Sequence, residues 1–141
     1  MKESAMRKSI TRKILKELPH SLVQPIESGG TSLGIPDIYF KTVYSEGWIE
    51  LKQFMFRNNH CVYIPFRPGQ IAWINNYLSL HGNIAILGTF TLNKHTRDWQ
   101  KLWIIIKNRF IKEVYTYEEF LTIADVTLLE DINIIKMLRR K

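Results

Sequence analysis

Two acids and one lysine in the first half of the chain have the side chains that hydrolysis of a phosphodiester bond requires. They are Asp37, Glu50 and Lys52, and they lie in the segment GIPDIYFKTVYSEGWIELKQ. Carboxylate oxygens hold hard cations such as Mg²⁺ or Mn²⁺, which polarise a phosphate and activate a water molecule. A neighbouring lysine can orient or deprotonate that water, or offset charge on the phosphate. These residue types therefore indicate metal-dependent hydrolysis.

The spacing of these residues places them at one edge of a predicted hairpin. Glu50 and Lys52 are two positions apart, so on a strand their side chains project from the same face. Asp37 directly follows a proline, which favours an extended entry into the preceding strand. A turn at 45–47 sets Asp37 beside Glu50, and the backbone carbonyl of Leu51 becomes a candidate third metal ligand.

The same pattern has a simpler interpretation in which none of the three side chains is functional. Asp37 would then be a turn residue, and Glu50 and Lys52 would be an ordinary pair on an exposed strand. The bare pattern P-D…E-x-K arises often by chance. The flanking sequence must therefore decide between the two interpretations.

Hydrophobic periodicity predicts the elements that position these residues. Met6, Ile10 and Ile14 recur at four-residue spacing and predict an amphipathic helix over 3–18. The pattern elsewhere predicts strands at 22–26, 37–43, 48–54, 62–65, 83–90 and 102–107, and helices at 68–80 (with Pro68 near N1), 117–124 and 128–140. The strands at 37–43 and 48–54 should pair as an antiparallel hairpin.

Chain length and element order favour one α/β domain. The 141 residues are enough for one ordinary core and too few for two. We expect a mixed β-sheet of about four or five strands flanked by α-helices. The domain should comprise a core at 1–107 and a C-terminal helical extension at 108–141.

The charge balance points to a polyanionic partner. The chain has 20 Lys and Arg residues against 13 Asp and Glu residues, which gives a formal net charge of +7. A basic surface attracts DNA phosphates through counterion release. Arg7, Lys8 and Arg12 on the outer face of the first helix are candidate DNA contacts, although such a face is often only solvated.

Other features limit the location and the cofactors. Cys61 is the only cysteine, which excludes an internal disulfide and a multi-thiolate zinc site. The longest apolar run, at 102–106, is far shorter than the roughly 20 residues of a membrane span. The basic N-terminus has no apolar block behind it, so a secretory signal is not indicated. We therefore expect a cytoplasmic protein without a membrane contact.

The segments around the candidate triad resemble the active-site hairpin of the PD-(D/E)XK nuclease superfamily, in particular the virus-type replication-repair nuclease (VRR-NUC) domains found in bacteriophages. GIPDIYF followed by GWIELK carries the resemblance. PIESGGTSLGIPD upstream, and RPGQIAWINNYLSLHG followed by NIAILGTF downstream, extend it. It covers roughly residues 25–90, together with the first helix, and does not reach the C-terminal third.

The resemblance implies a restriction-endonuclease-like fold and a role for each motif residue. Asp37 and Glu50 would bind Mg²⁺ or Mn²⁺, and Lys52 would be the catalytic lysine. Gln70 looks like the glutamine that this family places near its site. The family also carries an acid on its first helix, for which Glu3 is the best candidate.

Two acids compete for this accessory position. Glu3 lies on one helical stripe with Met6 and Ile10, so its spacing independently favours the buried face. The alternative is that Glu3 is a first-turn acid stabilised by the helix dipole. Glu27 is a rival because it precedes the GGTSLG turn, and the alternative for Glu27 is a plain turn acid.

The expected activity is endonucleolytic cleavage of DNA, and the resemblance implies branched substrates such as Holliday junctions or flaps in phage recombination, within the host cytoplasm. The alternatives are a nicking nuclease with little structure preference and a non-catalytic basic DNA-binding accessory protein.

A homodimer is expected because a four-way junction has two-fold symmetry and a single domain offers one site. Leu102–Ile106, Phe110, Tyr115, Tyr117 and Phe120 are the candidate interface, although these residues could instead complete the monomer core.

Overall fold

The computed structural model describes residues 1–26, 34–57, 60–90 and 102–140. These residues form an α/β fold with a mixed eight-stranded sheet and four α-helices. The helices are α1 (Glu3–Glu17), α2 (Gln70–Ser79), α3 (Tyr117–Ile123) and α4 (Ile134–Leu138). The strands are β1 (Leu22–Pro25), β2 (Ile38–Lys41), β3 (Glu46–Arg57), β4 (Cys61–Tyr63), β5 (Ile84–Phe90), β6 (Leu102–Lys107), β7 (Val114–Thr116) and β8 (Ala124–Leu128).

The sheet has the order β1-β2-β3-β5-β6-β8, and β4 and β7 continue from the far end of β3. β3 and β5 are parallel, and the other pairs are antiparallel. The predicted hairpin is confirmed, since β2 and β3 pair with Ile38 opposite Ile49. β3 is the longest strand because its last residues leave the main sheet to pair with β4.

Each face of the sheet has its own apolar core. Ile49 and Leu51 of β3 pack with α1 and α4, where Met6 and Ile134 are fully buried. The opposite face packs under α2 and α3. Side chains alternate along a strand, so Glu50 and Lys52 must point toward α2 because their neighbours are anchored in the other core. The apolar alternation of β3 therefore fixes the face of the candidate site.

Close contact between two glycines brings the approach to β2 against the start of α2. Gly34 has a left-handed backbone with φ of 89°, and a Cβ there would lie 2.5 Å from the carbonyl oxygen of Gly69. Gly69 is the N-cap of α2 with φ of 86°. L side chains rarely adopt this conformation, so glycine suits both positions. The contact fixes the chain three residues before Asp37 against the residue before Gln70.

The described structure corrects several expectations. Gly69 turns left-handed just before α2, so the helix begins at Gln70 and Pro68 precedes the N-cap instead of occupying N1. The C-terminal segment is not only helical, because it adds β7 and β8 to the sheet. The predicted helix at 128–140 is a 3-10 turn at Leu129–Asp131 followed by the short α4. Strand β8 pairs with the outer edge of β6, between the two helices that the sequence predicted.

The expected dimer interface is largely part of the monomer core. Residues 103–106, Tyr115 and Phe120 are buried within one chain, and Tyr117 is partly buried against the same core. Phe110 is the large apolar side chain of that set that stays exposed. Aromatic composition suits a core and an interface equally, which is why composition could not separate them. Within the described residues, none of the helices is long and apolar enough to cross a membrane.

Replacement of Gly34 by alanine tests the contact that joins the approach to β2 and α2. The added Cβ meets a backbone carbonyl, and the left-handed conformation strains any L residue. We expect Gly34→Ala to lower the free energy of unfolding by about 1–3 kcal/mol in urea denaturation. An unchanged denaturation midpoint would show that Gly34 and Gly69 do not touch.

Candidate active site

Asp37 and Glu50 face each other across the β2–β3 hairpin. Ile38 pairs with Ile49, so extension of the register by one residue places Asp37 directly opposite Glu50. Both carboxyl groups are buried, with Glu50 0% exposed. Like charges directly opposite one another destabilise a sheet. The neighbouring groups must therefore compensate the repulsion between these two carboxyl groups.

Cationic and backbone groups surround the carboxylate of Asp37. Its Oδ2 accepts a hydrogen bond of 2.8 Å from the backbone amide of Leu51. Its Oδ1 lies 3.7 Å from a guanidinium nitrogen of Arg7 and 3.8 Å from one of Arg67. These contacts fix the side chain of Asp37 at the start of β2.

The neighbouring groups compensate the charge of the Glu50 carboxylate only in part. Its Oε2 accepts a hydrogen bond of 3.1 Å from Nε2 of Gln70. Its Oε1 accepts no hydrogen bond from the described residues and lies 3.9 Å from Nζ of Lys52. Burial, and then the hydrogen bond and charge of Asp37, raise the pKa of Glu50 well above its usual value. Glu50 therefore has an oxygen ready to bind a proton or a cation.

The amine of Lys52 is held in a fixed position on the same face. Nζ donates hydrogen bonds of 2.8 Å to the backbone carbonyl of Pro65 and to Oε1 of Gln70. It also lies 4.9 Å from the centre of the Phe66 ring. Burial lowers the pKa of Lys52, although the neighbouring carboxylates oppose that shift. A lowered pKa makes the amine a better proton acceptor near neutral pH.

Gln70 joins the acid and the lysine through its amide. Oε1 accepts from both Lys52 Nζ and the backbone amide of Arg67, while Nε2 donates to Glu50. Both partners of Oε1 are donors and the partner of Nε2 is an acceptor, so only one orientation of the amide satisfies all three bonds. The first residue of α2 thus sets the distance between Glu50 and Lys52.

The backbone of Leu51 is placed to offer a further oxygen. In a strand the amide and carbonyl of one residue point to the same side, and the Leu51 amide points at Asp37. By extension of the register Pro36 stands opposite Leu51. A proline has no N–H to donate to the Leu51 carbonyl. This carbonyl can therefore join the two carboxylates as an oxygen donor.

Glu3, the predicted accessory acid, interacts electrostatically with the site. Glu3 is exposed, yet desolvation followed by the charge of Asp37 raises its pKa, and Lys52 and Arg67 oppose the shift. It therefore faces the cluster electrostatically, but the helical stripe did not bury it as expected. The stripe begins to be buried at Met6, because Glu3 is the first residue of α1. The rival Glu27 lies outside the described residues.

The three candidate DNA-contact residues of α1 have different surroundings. Lys8 and Arg12 are exposed and remain available to a phosphate. Arg7 is half-buried and lies beside Asp37. The structure therefore brings Arg7 into the candidate site and leaves the other two on the outer surface.

Two site residues were not predicted from the sequence. Arg67 approaches Asp37, and the ring of Phe66 lies against the Lys52 amine. Both precede Gln70 in the segment PFRPGQ, which the sequence placed only at the entry to a helix. Their proximity to a predicted glutamine was the available signal, but the direction in which they point depends on the turn at Gly69.

The oxygen donors of the cluster are few. Among the described residues, no three His, Cys, Asp or Glu side chains lie close enough together to hold a metal ion by themselves. Asp37, Glu50 and the Leu51 carbonyl are the candidate oxygen donors at this end of the hairpin. No family model, curated protein or solved structure matches the chain significantly.

Proposed function

We propose that the protein is a metal-dependent endonuclease that hydrolyses phosphodiester bonds in DNA. The observation that carries the proposal is the buried pair of Asp37 and Glu50, with Lys52 fixed on the same face. A buried carboxyl pair is costly unless a proton or a cation neutralises it. A protein that only needed a stable hairpin would gain more from apolar residues at these positions.

The donor set fits a hard divalent cation. Mg²⁺ and Mn²⁺ prefer oxygen ligands, and Asp37, Glu50 and the Leu51 carbonyl supply them. Oε1 of Glu50 lacks a hydrogen-bond donor within the described residues, which suits a metal ligand. Glu3 could contribute through a bridging water. When bound, the ion would supply positive charge to the scissile phosphate and acidify a coordinated water.

Four side chains around the carboxylates would have the remaining roles in the reaction. Lys52 accepts a proton from the attacking water or offsets charge on the phosphate, because its amine is fixed and its pKa is lowered. Arg7 and Arg67 lie beside Asp37, and their guanidinium groups would contact phosphate oxygens of the substrate. Gln70 keeps Glu50 and Lys52 in register.

DNA as substrate and the details of the fold family rest on the sequence resemblance. The net charge of +7 and the exposed Lys8 and Arg12 support a nucleic-acid partner. A mixed sheet with the site on a hairpin between α1 and α2 is compatible with the restriction-endonuclease-like arrangement. Branched DNA, such as a Holliday junction or a flap, and action in the host cytoplasm follow from the resemblance to phage VRR-NUC domains.

A homodimer remains part of this proposal on grounds of symmetry alone. Two equivalent sites match the two strands that are cut at a four-way junction. Light scattering with junction DNA should give a protein mass of twice 16.7 kDa. A mass of 16.7 kDa that persists on junction DNA would favour a single-site flap or nicking nuclease instead.

Substitutions at the carboxylate and the amine separate catalysis from binding. Asp37→Asn keeps the volume and the acceptor for the Leu51 amide, and Lys52→Met keeps the apolar stem. We expect each to reduce Mg²⁺-dependent cleavage by roughly a hundredfold or more, with DNA affinity largely retained.

Lys41→Met and Asp125→Asn are matched controls, because Lys41 is exposed on β2, Asp125 is exposed on β8, and neither belongs to the cluster. They should cleave like the unmodified protein. Equal losses in Lys52→Met and Lys41→Met would indicate a general charge effect. Wild-type protein that binds DNA but leaves duplex, flap and junction substrates intact in Mg²⁺ would favour an accessory binding protein.

Neutralisation of Glu50 should stabilise the metal-free protein. The folded state raises the pKa of Glu50 above its ordinary value of 4.5, so its ionisation increasingly costs stability as the pH rises above that value. Glu50→Gln removes this cost, and we expect a higher Tm than wild type in EDTA at pH 8, with a smaller difference at pH 4.5.

Mg²⁺ should then raise the Tm of the wild type and of Glu46→Gln, but not that of Glu50→Gln. Glu46 is a matched control because it lies exposed on the same strand. A Mg²⁺-dependent stabilisation that survives Glu50→Gln would remove Glu50 from the metal site.

A further inference from the structure

A cavity lies at the C-terminal end of α2, away from the candidate active site. Its volume is about 730 Å³, and it is open to solvent between the end of α2, the turn after β6 and the C-terminal residues. Gln70 begins α2 within the active site, and Ser79 ends it beside the cavity. Ten helical residues rise about 15 Å, so α2 spans about that distance between the active site and the cavity.

The lining of this cavity is cationic. Arg109, Arg140 and His81 line it, and none of its described lining residues is acidic. Neither Arg109 nor Arg140 forms an ion pair with any residue in the described ranges. Two guanidinium groups that have no carboxylate partner among the described residues attract a phosphate.

The cavity also carries an exposed aromatic ring. The Phe110 side chain is 66% exposed, whereas Tyr115, which also lines the cavity, is buried. A phenyl ring that is open to solvent beside two arginines provides a stacking surface for a nucleobase. The combination of two guanidinium groups and an exposed ring matches a nucleotide better than an inorganic anion.

Hydrogen bonds hold this lining together. Asn108 has a left-handed backbone with φ of 50°. Its Nδ2 donates a hydrogen bond of 2.8 Å to the backbone carbonyl of Arg140, and its Oδ1 accepts one of 2.7 Å from the backbone amide of Ile84. The turn that carries Arg109 and Phe110 is thereby tied to Arg140. Left-handed residues other than glycine are costly and often mark functional sites.

The C-terminal carbonyl groups of α2 offset the positive charge of Arg109 and Arg140 less than unbonded carbonyl groups would. Carbonyl groups at a helix C-terminus repel anions. Here the amides of Leu80 and Gly82 donate to the carbonyl of Tyr77, and the amide of His81 donates to that of Leu78. These carbonyl groups are therefore engaged by the backbone instead of facing a ligand.

We propose that this cavity binds a nucleotide of the DNA strand whose scissile bond lies in the candidate active site. Arg109 and Arg140 contact a phosphate, and Phe110 stacks on a base. The distance of about 15 Å corresponds to roughly four base steps of B-form DNA. This inference rests on the proposed nuclease function, and it makes the cavity a second anchor for the same substrate.

Binding of labelled DNA in EDTA tests the anchor without cleavage. Fluorescence anisotropy should show a loss of affinity of about tenfold for Arg140→Ala and for Phe110→Ala, as expected for one phosphate contact and one stacked base. Arg140→Ala should also reduce the slope of log affinity against log salt by about 1.

Two matched controls come from the same part of the chain. Arg139 is adjacent to Arg140 and carries the same charge, but its guanidinium group lies over the ring of Tyr44, 5.1 Å from the centroid. Leu121 is an exposed apolar residue of α3 that does not line the cavity. Arg139→Ala and Leu121→Ala should bind DNA nearly as well as wild type.

Three outcomes would overturn the inference. If Arg140→Ala binds DNA like Arg139→Ala, the cavity does not hold the strand, although cleavage by the wild type would still support the proposed function. If millimolar deoxynucleoside monophosphate binds in an Arg140-dependent manner while DNA affinity is unaffected, the cavity is a free-nucleotide site. If the wild type does not bind DNA at all, the nuclease proposal fails together with the anchor.

Discussion

The opposition of two buried carboxyl groups, Asp37 and Glu50, is the constraint around which the candidate site is organised. Placed directly across a hairpin, they would repel each other if both were ionised without compensation. The Leu51 amide and two arginines stabilise Asp37, whereas Glu50 has one amide donor and a more distant lysine. The asymmetry leaves Glu50 with a raised pKa and an oxygen that a cation could satisfy.

Packing on the other face of the sheet keeps this arrangement rigid. Ile49 and Leu51 are fully buried against α1 and α4, so β3 cannot rotate to release Glu50 and Lys52 to solvent. On the near face, Gln70 connects those two side chains to α2. The same helix extends toward the cationic cavity, so one rigid element relates the candidate catalytic groups to the proposed DNA anchor.

Short-range regularities in the sequence predicted the central hairpin and the face shared by Glu50 and Lys52, because strand alternation depends only on positions two apart. They also predicted α1 and the entry to α2 within one or two residues. Long-range contacts determined the rest. Arg67 reaches Asp37 just before the left-handed turn at Gly69, and 124–128 is a strand because it pairs with β6, which is distant in sequence. Residues 103–106 lie in the core and not at an interface, a distinction that residue type alone cannot make.

The most direct test of the central claim is anomalous diffraction from a crystal soaked in Mn²⁺. If the carboxyl pair exists to hold a cation, a manganese peak will lie between Asp37 and Glu50, with oxygen atoms of both side chains within about 2.0–2.3 Å of it. The peak should be absent in Glu50→Gln crystals and present in Glu46→Gln crystals. A wild-type crystal in saturating Mn²⁺ whose Asp37 and Glu50 carboxyl groups still contact each other, with no peak between them, would contradict a metal-dependent site.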